Sequence, residues 1–340
     1  MNYWIKLGIP VLMLTLLSAP VLAVEEVNVY SARKEALIKP LLERFTQQTG
    51  IKVNLLTGKA KTLLKRLQSE GRNTPADMLL TVDAGNLHAA TAAGLLQPVD
   101  SAPLKAVVPQ NLRDPDDRWY ALSTRSRVIV YSKERVKAAE LSTYEDLADP
   151  KWKGRLCIRS SSNIYNQSLL ASLILHNGAE QAEAWARGVV ANMAQPPKGN
   201  DRAQVKAVAV GICDVAIINT YYMGVMLKKD DRQKKAASQV AVFFPNQEGR
   251  GAHINISGAG IVKAAKHREN AIKLLEFLVS DEAQLWYAKA NHEYPVKAGI
   301  PVSDIVMAWG YPFKQDALNV SELGKYNAEA VKVFDRAGWK

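Results

Sequence analysis

The sequence predicts an α/β protein of two lobes, with mostly parallel sheets and a ligand cleft between the lobes. Three observations point there. Strand-like and helix-like segments alternate from residue 27 onward, the alternation restarts near residue 127, and no low-complexity linker separates the halves. A chain without a flexible linker has to cross between its lobes on strands. The 340 residues suffice for two domains of ordinary size, and 48% hydrophobic with 23% charged residues is the balance of a packed globular protein.

Taken in order, Val27-Asn28-Val29-Tyr30 reads as a short apolar strand. Ala36 to Gln48 carries Leu37, Leu41, Leu42 and Phe45 at helical spacing and ends at Gly50. Residues 51–56 form the next strand, Lys61–Glu70 a helix closed by Gly71, 77–82 a strand, and 84–93 a helix closed by Gly94. The second half opens on a strand at Arg127–Tyr131 and a shorter one at Leu156–Arg159. Helices follow at about Tyr165–His176 and Gln181–Met193, and another ends across Val205–Gly211. Asp214–Ile218 is an almost purely apolar strand, Val240–Phe244 another, and Ile256–Val262 a glycine-broken one. Helices at Asn270–Leu278, Asp281–Ala290 and around Val320–Ala337 complete the chain.

Residues 1–23, MNYWIKLGIPVLMLTLLSAPVLA, place one lysine before an apolar run that closes on small residues, which predicts a secretory signal cleaved after Ala23. The alternative is a membrane anchor, but the run is short and acidic Glu25 and Glu26 follow it at once. The mature protein is expected to be exported to the periplasm, where disulfides form. Net charge is +11, or +10 without Lys6. An exported protein rarely meets nucleic acid, and the stretches KAKTLLKR, KKDDRQKK and KAAKHREN read as solvated helix faces, so no nucleic-acid partner is expected.

Two cysteines rule out a disulfide-rich scaffold and a four-cysteine zinc site. Five histidines without HExxH argue against a zinc hydrolase. In open parallel sheets ligands collect where strands end and helices begin, so the chemistry is sought at those junctions. In DVAIINTYYMGVML an apolar strand runs into Asn219-Thr220, and Tyr221-Tyr222 opens a helix. Adjacent side chains face opposite ways on a strand, yet at a bent junction they can converge; the competing reading puts one tyrosine in the core and one on the rim. In RLCIRSSSNIYNQSL, Ser160 to Asn163 precede a helix starting near Tyr165, either as an anion site or as plain helix capping. Ser31 to Lys34 follow the first strand, Asp83 ends the third, and Arg125 and Arg127 stand before a strand that can enter the second lobe. These residues supply phenols, guanidiniums and hydroxyls. A phenol, with a free pKa near ~10, loses its proton at neutral pH only to something very positive, and Fe³⁺ is such an ion. Softer metals prefer Cys, Met or His, and Ca²⁺ or Mg²⁺ prefer carboxylates and carbonyls.

On VNVYSARKEALIKPLLERFTQQTGIKVN, PADMLLTVD, WYALSTRSRVIVYSKERV, KWKGRLCIRSSSNIYNQSL, GICDVAIINTYYMG, NISGAGIV and NHEYPV, essentially the whole mature chain resembles the periplasmic ferric-ion-binding proteins of bacterial ABC importers. That resemblance implies the two-lobed type II periplasmic binding protein fold with hinge strands. It implies Tyr165, Tyr221 and Tyr222 as metal ligands for Fe³⁺, and Arg33, Arg125, Ser162 and Asn163 as contacts of a synergistic anion, carbonate or bicarbonate. Asp83 and Asn219 stand behind them. Arg33 occupies a position where several members carry a histidine ligand, and this departure matches the carbonate-assisted branch. Cys157 and Cys213 lie beside the two tyrosine-bearing junctions, and in an oxidising compartment a disulfide between them is expected, two buried free thiols being the alternative. The lobes are expected at 24–125 plus 250–305 and at 126–249 plus 306–340.

The resulting expectation is a binding protein, not an enzyme. It captures Fe³⁺ in the cleft, closes on it, and docks as a monomer on an inner-membrane ABC permease with its ATPase. One alternative keeps the fold and binds a small oxyanion or phosphorylated molecule through Arg33, Arg125 and the serine loop. The other, a periplasmic hydrolase using Ser162 or Asp83, lacks a GxSxG elbow and a histidine base at these junctions.

Overall fold

The computed structural model describes residues 25–340; the targeting segment expected at 1–23 lies outside them. The first half alternates as its periodicity requires: β1 (Glu26–Ser31), α1 (Lys39–Thr49), β2 (Lys52–Thr57), α2 (Ala60–Glu70), β3 (Met78–Val82), α3 (Ala84–Ala92), β4 (Leu96–Gln97) and α4 (Ala102–Val107). The helix expected from Ala36 begins three residues later, after a single 3₁₀ turn over Glu35–Leu37. Pro40 has no N–H and is tolerated only in the first turn, so the helix starts at Lys39.

The long strand β5 (Tyr120–Ser132) joins the halves, and the second half adds β6 (Leu156–Cys157), α5 (Ile164–Asn177), α6 (Ala179–Asn192), α7 (Asp201–Ala209), β7 (Val215–Asn219), α8 (Tyr221–Leu227), α9 (Asp231–Ser238) and β8 (Val240–Phe243). The return is made by β9 (Ile254–Val262), α10 (Arg268–Phe277), α11 (Asp281–Ala290), β10 (Tyr294–Pro295) and α12 (Asp304–Met307), with α13 (Glu322–Lys325) and α14 (Asn327–Ala337) last.

The strands form a mixed sheet in the order β2-β1-β3-β9-β5-β7-β6. Its flanks are parallel, β1 with β2 and β3, and β6 with β7. The centre is antiparallel because β5 and β9 run against their neighbours. Residues Tyr120–Ser126 of β5 pair with β9, while Arg127–Tyr131 pair with β7, so one strand belongs to both halves. The sequence showed only the second part of β5, because Ser123, Thr124, Arg125 and Ser126 break the apolar pattern. Those side chains are nevertheless buried, with Ser123 donating to Glu293, Arg125 to Ser257 and Ser126 to the His253 carbonyl.

Buried apolar residues gather around each half of the sheet. Val29, Leu41, Leu80, Leu122, Ile256 and Leu274 belong to the first core. In the second half β5 and β7 are covered on both faces: Ile129 and Ile217 point to Leu170, Trp185 and Phe334, whereas Val128, Val130 and Ile218 point to Val208 and Met223. Burial on both faces is why β7 reads as a continuous apolar run. Val320 and Leu323 pack with the first core, and Val302 and Val306 with the second half. A disulfide joins Cys157, at the end of β6, to Cys213, two residues before β7. Among the described residues no helix is long and apolar enough to cross a membrane.

Candidate metal centre

The strand ends meet at one cleft. β7 delivers its last residue, Asn219, opposite Arg127 of β5. Thr220 then turns the chain, its N–H donating to the Ser126 carbonyl at 3.0 Å. Tyr221 and Tyr222 are the first two residues of α8, and at this bend their rings lie side by side, centroids 4.3 Å apart. From the other junction, α5 begins at Ile164 and sends Tyr165 to the same point, where the Tyr221 and Tyr165 phenol oxygens are 3.4 Å apart. The three rings are half-buried.

Facing them are two guanidiniums of the first half. Arg33 leaves the end of β1 and is 3% exposed; Arg125 lies in the middle of the crossing strand and is 1% exposed. Both donate to Ser257 Oγ of β9, at 2.6 Å and 3.2 Å. Arg33 also pairs with Glu293 at 2.5 Å, and Ser123 Oγ donates to the same carboxylate oxygen at 2.8 Å. Among the described residues Arg125 Nε and Nη1 and Arg33 Nε have no hydrogen-bond partner. Buried donors left open like this are positioned for an anion. Tyr165, Tyr221, Tyr222, Arg33, Arg125, Arg202, Lys34, Lys229 and Glu293 line one cavity of about 310 Å³. Among the carboxylates of the described residues only Glu293 lines it, and Arg33 already neutralises that one.

Burial pushes the Tyr221 phenol well above its ordinary value, and the neighbouring Tyr165 and Tyr222 add to the effect. Burial raises Tyr222 in the same way, followed by Tyr165 and Asp201. Both phenols are therefore neutral at pH 7 until a cation displaces their protons. Among the described residues no group of three His, Cys, Asp or Glu side chains could hold an ion. The tyrosines are the anionic oxygen donors this cleft can offer to a hard, highly charged cation.

Other candidates sit elsewhere. Ser162 and Asn163 do not line the cleft. Asn163 is spent as the N-cap of α5, its Oδ1 accepting the Tyr165 N–H at 3.2 Å. Ser162 shares its hydroxyl with Ser160 and faces a separate pocket beside Lys61 and Asn327. Of the two side chains, Asn163 caps the helix and Ser162 bonds only to Ser160. Asp83 is also off the cleft: fully buried, it takes hydrogen bonds from Gly85 N–H, Ser168 Oγ and Asn255 Nδ2 at 2.9, 2.6 and 2.9 Å. Its burial raises its pKa, against the pull of those donors and of Arg125. Asn219 lies behind the tyrosines, its Oδ1 accepting from Arg127 at 3.1 Å. Four participants had no role assigned from sequence. Glu293 and Ser257 lie in NHEYPV and NISGAGIV, segments that carry the resemblance without marking these two residues, and Asp201 and Arg202 open a helix at the Asn200 cap.

The family model described as bacterial extracellular solute-binding protein matches residues 73–314. Iron uptake protein A1 of Synechocystis sp. is 53% identical over 317 residues, which cover 93% of this chain and 88% of that protein. A Trichodesmium structure described as IdiA or FutA in complex with iron and citrate matches with a TM-score of 0.90 at 52% identity, covering 93% of this chain and 100% of that one. Apo FutA2 from Synechocystis PCC6803 matches with a TM-score of 0.88 at 45% identity, over 94% and 100% of the two chains.

Proposed function

Because the chain belongs to the bacterial extracellular solute-binding proteins, we propose that it captures Fe³⁺ in the cleft between its lobes and delivers it to an ABC permease and its ATPase. The observation that carries this reading is the cleft itself: three tyrosines on one wall and two buried guanidiniums with open donors on the other. Tyr165, Tyr221 and Tyr222 bind the ion as phenolates. Arg33 and Arg125 hold a small oxyanion that fills positions the phenolates leave open, carbonate in our reading. Citrate, present with iron in the Trichodesmium relative, offers the same carboxylate chemistry to the same donors. Asn219 and Asp83 support the site from outside the cleft.

The lobes are taken as 24–125 plus 250–305 and 126–249 plus 306–340, although Val302 packs with the second half and Val320 and Leu323 with the first core, and the strands crossing between them act as the hinge. Iron loads first on the tyrosine lobe, and closure brings the arginines over the anion. The signal at 1–23 is removed after Ala23, and the mature chain works in the periplasm as a monomeric carrier without turnover.

Titration of the mature chain with ferric nitrilotriacetate, bicarbonate present and absent, tests the reading. A visible tyrosinate-to-iron charge-transfer band should develop, and bicarbonate should tighten binding. No band would overturn ferric capture; equal affinity in both arms would remove carbonate from the site, and a gain on adding citrate instead would name the anion.

A further inference from the structure

Behind the three tyrosines lies a charge cluster built on two buried side chains, Asp201 and Arg127, and the partly exposed Arg159. Asp201 opens α7 and is fully buried. Its Oδ1 accepts from Arg127 Nη1 at 3.1 Å and from the Asn219 backbone N–H at 3.0 Å, and its Oδ2 accepts from Arg159 Nη1. The guanidiniums held this way stand against the Tyr165 ring, with Cζ 6.0 Å (Arg127) and 5.6 Å (Arg159) from its centroid. Arg127 reaches further, donating to Asn166 Oδ1 at 2.5 Å and to Asn219 Oδ1 at 3.1 Å. Asn166 is the neighbour of Tyr165, and Asn219 precedes Tyr221 by two residues. The next residue in α7, Arg202, places its Cζ 5.5 Å from the Tyr222 ring centroid.

One carboxylate is thus tied to both tyrosine-bearing junctions, which are 56 residues apart in the chain at Tyr165 and Tyr221. We propose that Asp201 is a positioning residue of the ferric site: it sets where Tyr165 stands relative to Tyr221 and Tyr222. The inference rests on the ferric reading above. A buried ion pair gains little net stability over apolar packing, so its physical effect is sought in geometry. Here the geometry leaves the Tyr165 and Tyr221 phenol oxygens close enough to share one ion. Removing the Asp201 charge unpairs both guanidiniums, and the ring they hold loses its support. Partners that orient metal ligands change affinity by about 10–100-fold when removed.

The test is a double-mutant cycle between Asp201→Asn and Tyr165→Phe, each variant shown folded by circular dichroism and titrated with ferric citrate in the visible range. Asp201→Asn should weaken binding by about 10–100-fold and lower the band intensity per bound iron. In the Tyr165→Phe background the same change should cost little more. An unchanged band in Asp201→Asn, or equal penalties in both backgrounds, would overturn the inference. Should Asp201→Asn not fold, Arg159→Gln carries the same cycle with the same outcomes, since that side chain is 17% exposed and less critical to the core. A wild type without a band overturns the ferric reading and this inference together; a wild-type band with an indifferent Asp201→Asn overturns the inference alone.

Discussion

Replacing Tyr165 by phenylalanine should remove one of the protons released when ferric iron loads. A tyrosine carries its proton at neutral pH unless a cation takes its place. Burial holds Tyr221 and Tyr222 above the ordinary phenol value, so neither has ionised before iron arrives. With bicarbonate excluded, since its binding as carbonate would release one more, binding through three phenolates releases about three protons, and log affinity falls about three units for each pH unit of acidification. The sign follows from linkage: the metal-bound state holds fewer protons than the free state, so acid favours release. The slope persists throughout the range below the phenol values, with no plateau near pH 7. In free energy each proton contributes about 1.4 kcal/mol per pH unit, or about 4 kcal/mol for the full set. The assay is competition against citrate between pH 6 and 8, corrected for citrate protonation, with proton release measured directly at fixed pH. Tyr165→Phe and Tyr222→Phe should each reduce the slope to about two while the fold is retained. A wild-type slope of about one, or a Tyr165→Phe slope equal to that of wild type, would refute three-phenolate binding.

Arg33→Ala should weaken the helper anion more than the iron, because its guanidinium meets the anion and not the metal; a bicarbonate effect equal to that of wild type in ferric titrations would contradict this. Replacing both Cys157 and Cys213 by serine should cost about 4 kcal/mol in denaturant unfolding, from the entropy of a loop closed over a sequence separation of 56; a loss under about 1 kcal/mol would show that the bond constrains little. His253 is buried, and desolvation ahead of the nearby Arg127 and Arg250 charges lowers its pKa to about 3, against the pull of Asp316. A histidine neutral in the fold favours the folded state above its unfolded pKa, and that contribution is lost as pH falls from about 6.5 toward the folded value. Unfolding at pH 5 should therefore show about 2 kcal/mol less stability from this group than at pH 7, a difference absent in His253→Gln. Gly224→Ala should destabilise by about 1–3 kcal/mol, since a Cβ there would stand 2.4 Å from the His292 ring; thermal unfolding at the wild-type temperature would contradict that contact.

Local patterning sufficed for most elements. α2, β3, α3 and α11 lie within a residue or so of where the apolar periodicity and the glycine stops put them. It failed where side chains serve a neighbour instead of a core. Tyr120–Ser126 has no alternating pattern, because its polar side chains are buried on partners from β9 and the Glu293 segment. The strand expected over 156–159 stops at Cys157, and Arg159 turns to Asp201.

The sequence by itself determined the types of chemical group at each strand end: paired phenols after β7, one phenol at the start of α5, arginines after β1 and within β5. Those follow from local order, since a strand running into a helix presents its junction residues at the sheet edge. Only the tertiary structure decided which of them meet. It brought Tyr165 to Tyr221 across 56 residues and Arg33 to Glu293 across 260. It also left Ser162 and Asn163 outside the cleft and supplied Asp201 as a hidden anchor. The reason is physical: a buried charge takes whatever partners the packed chain delivers to it, and that delivery depends on how β5 carries the chain between two cores, a long-range property no local pattern encodes.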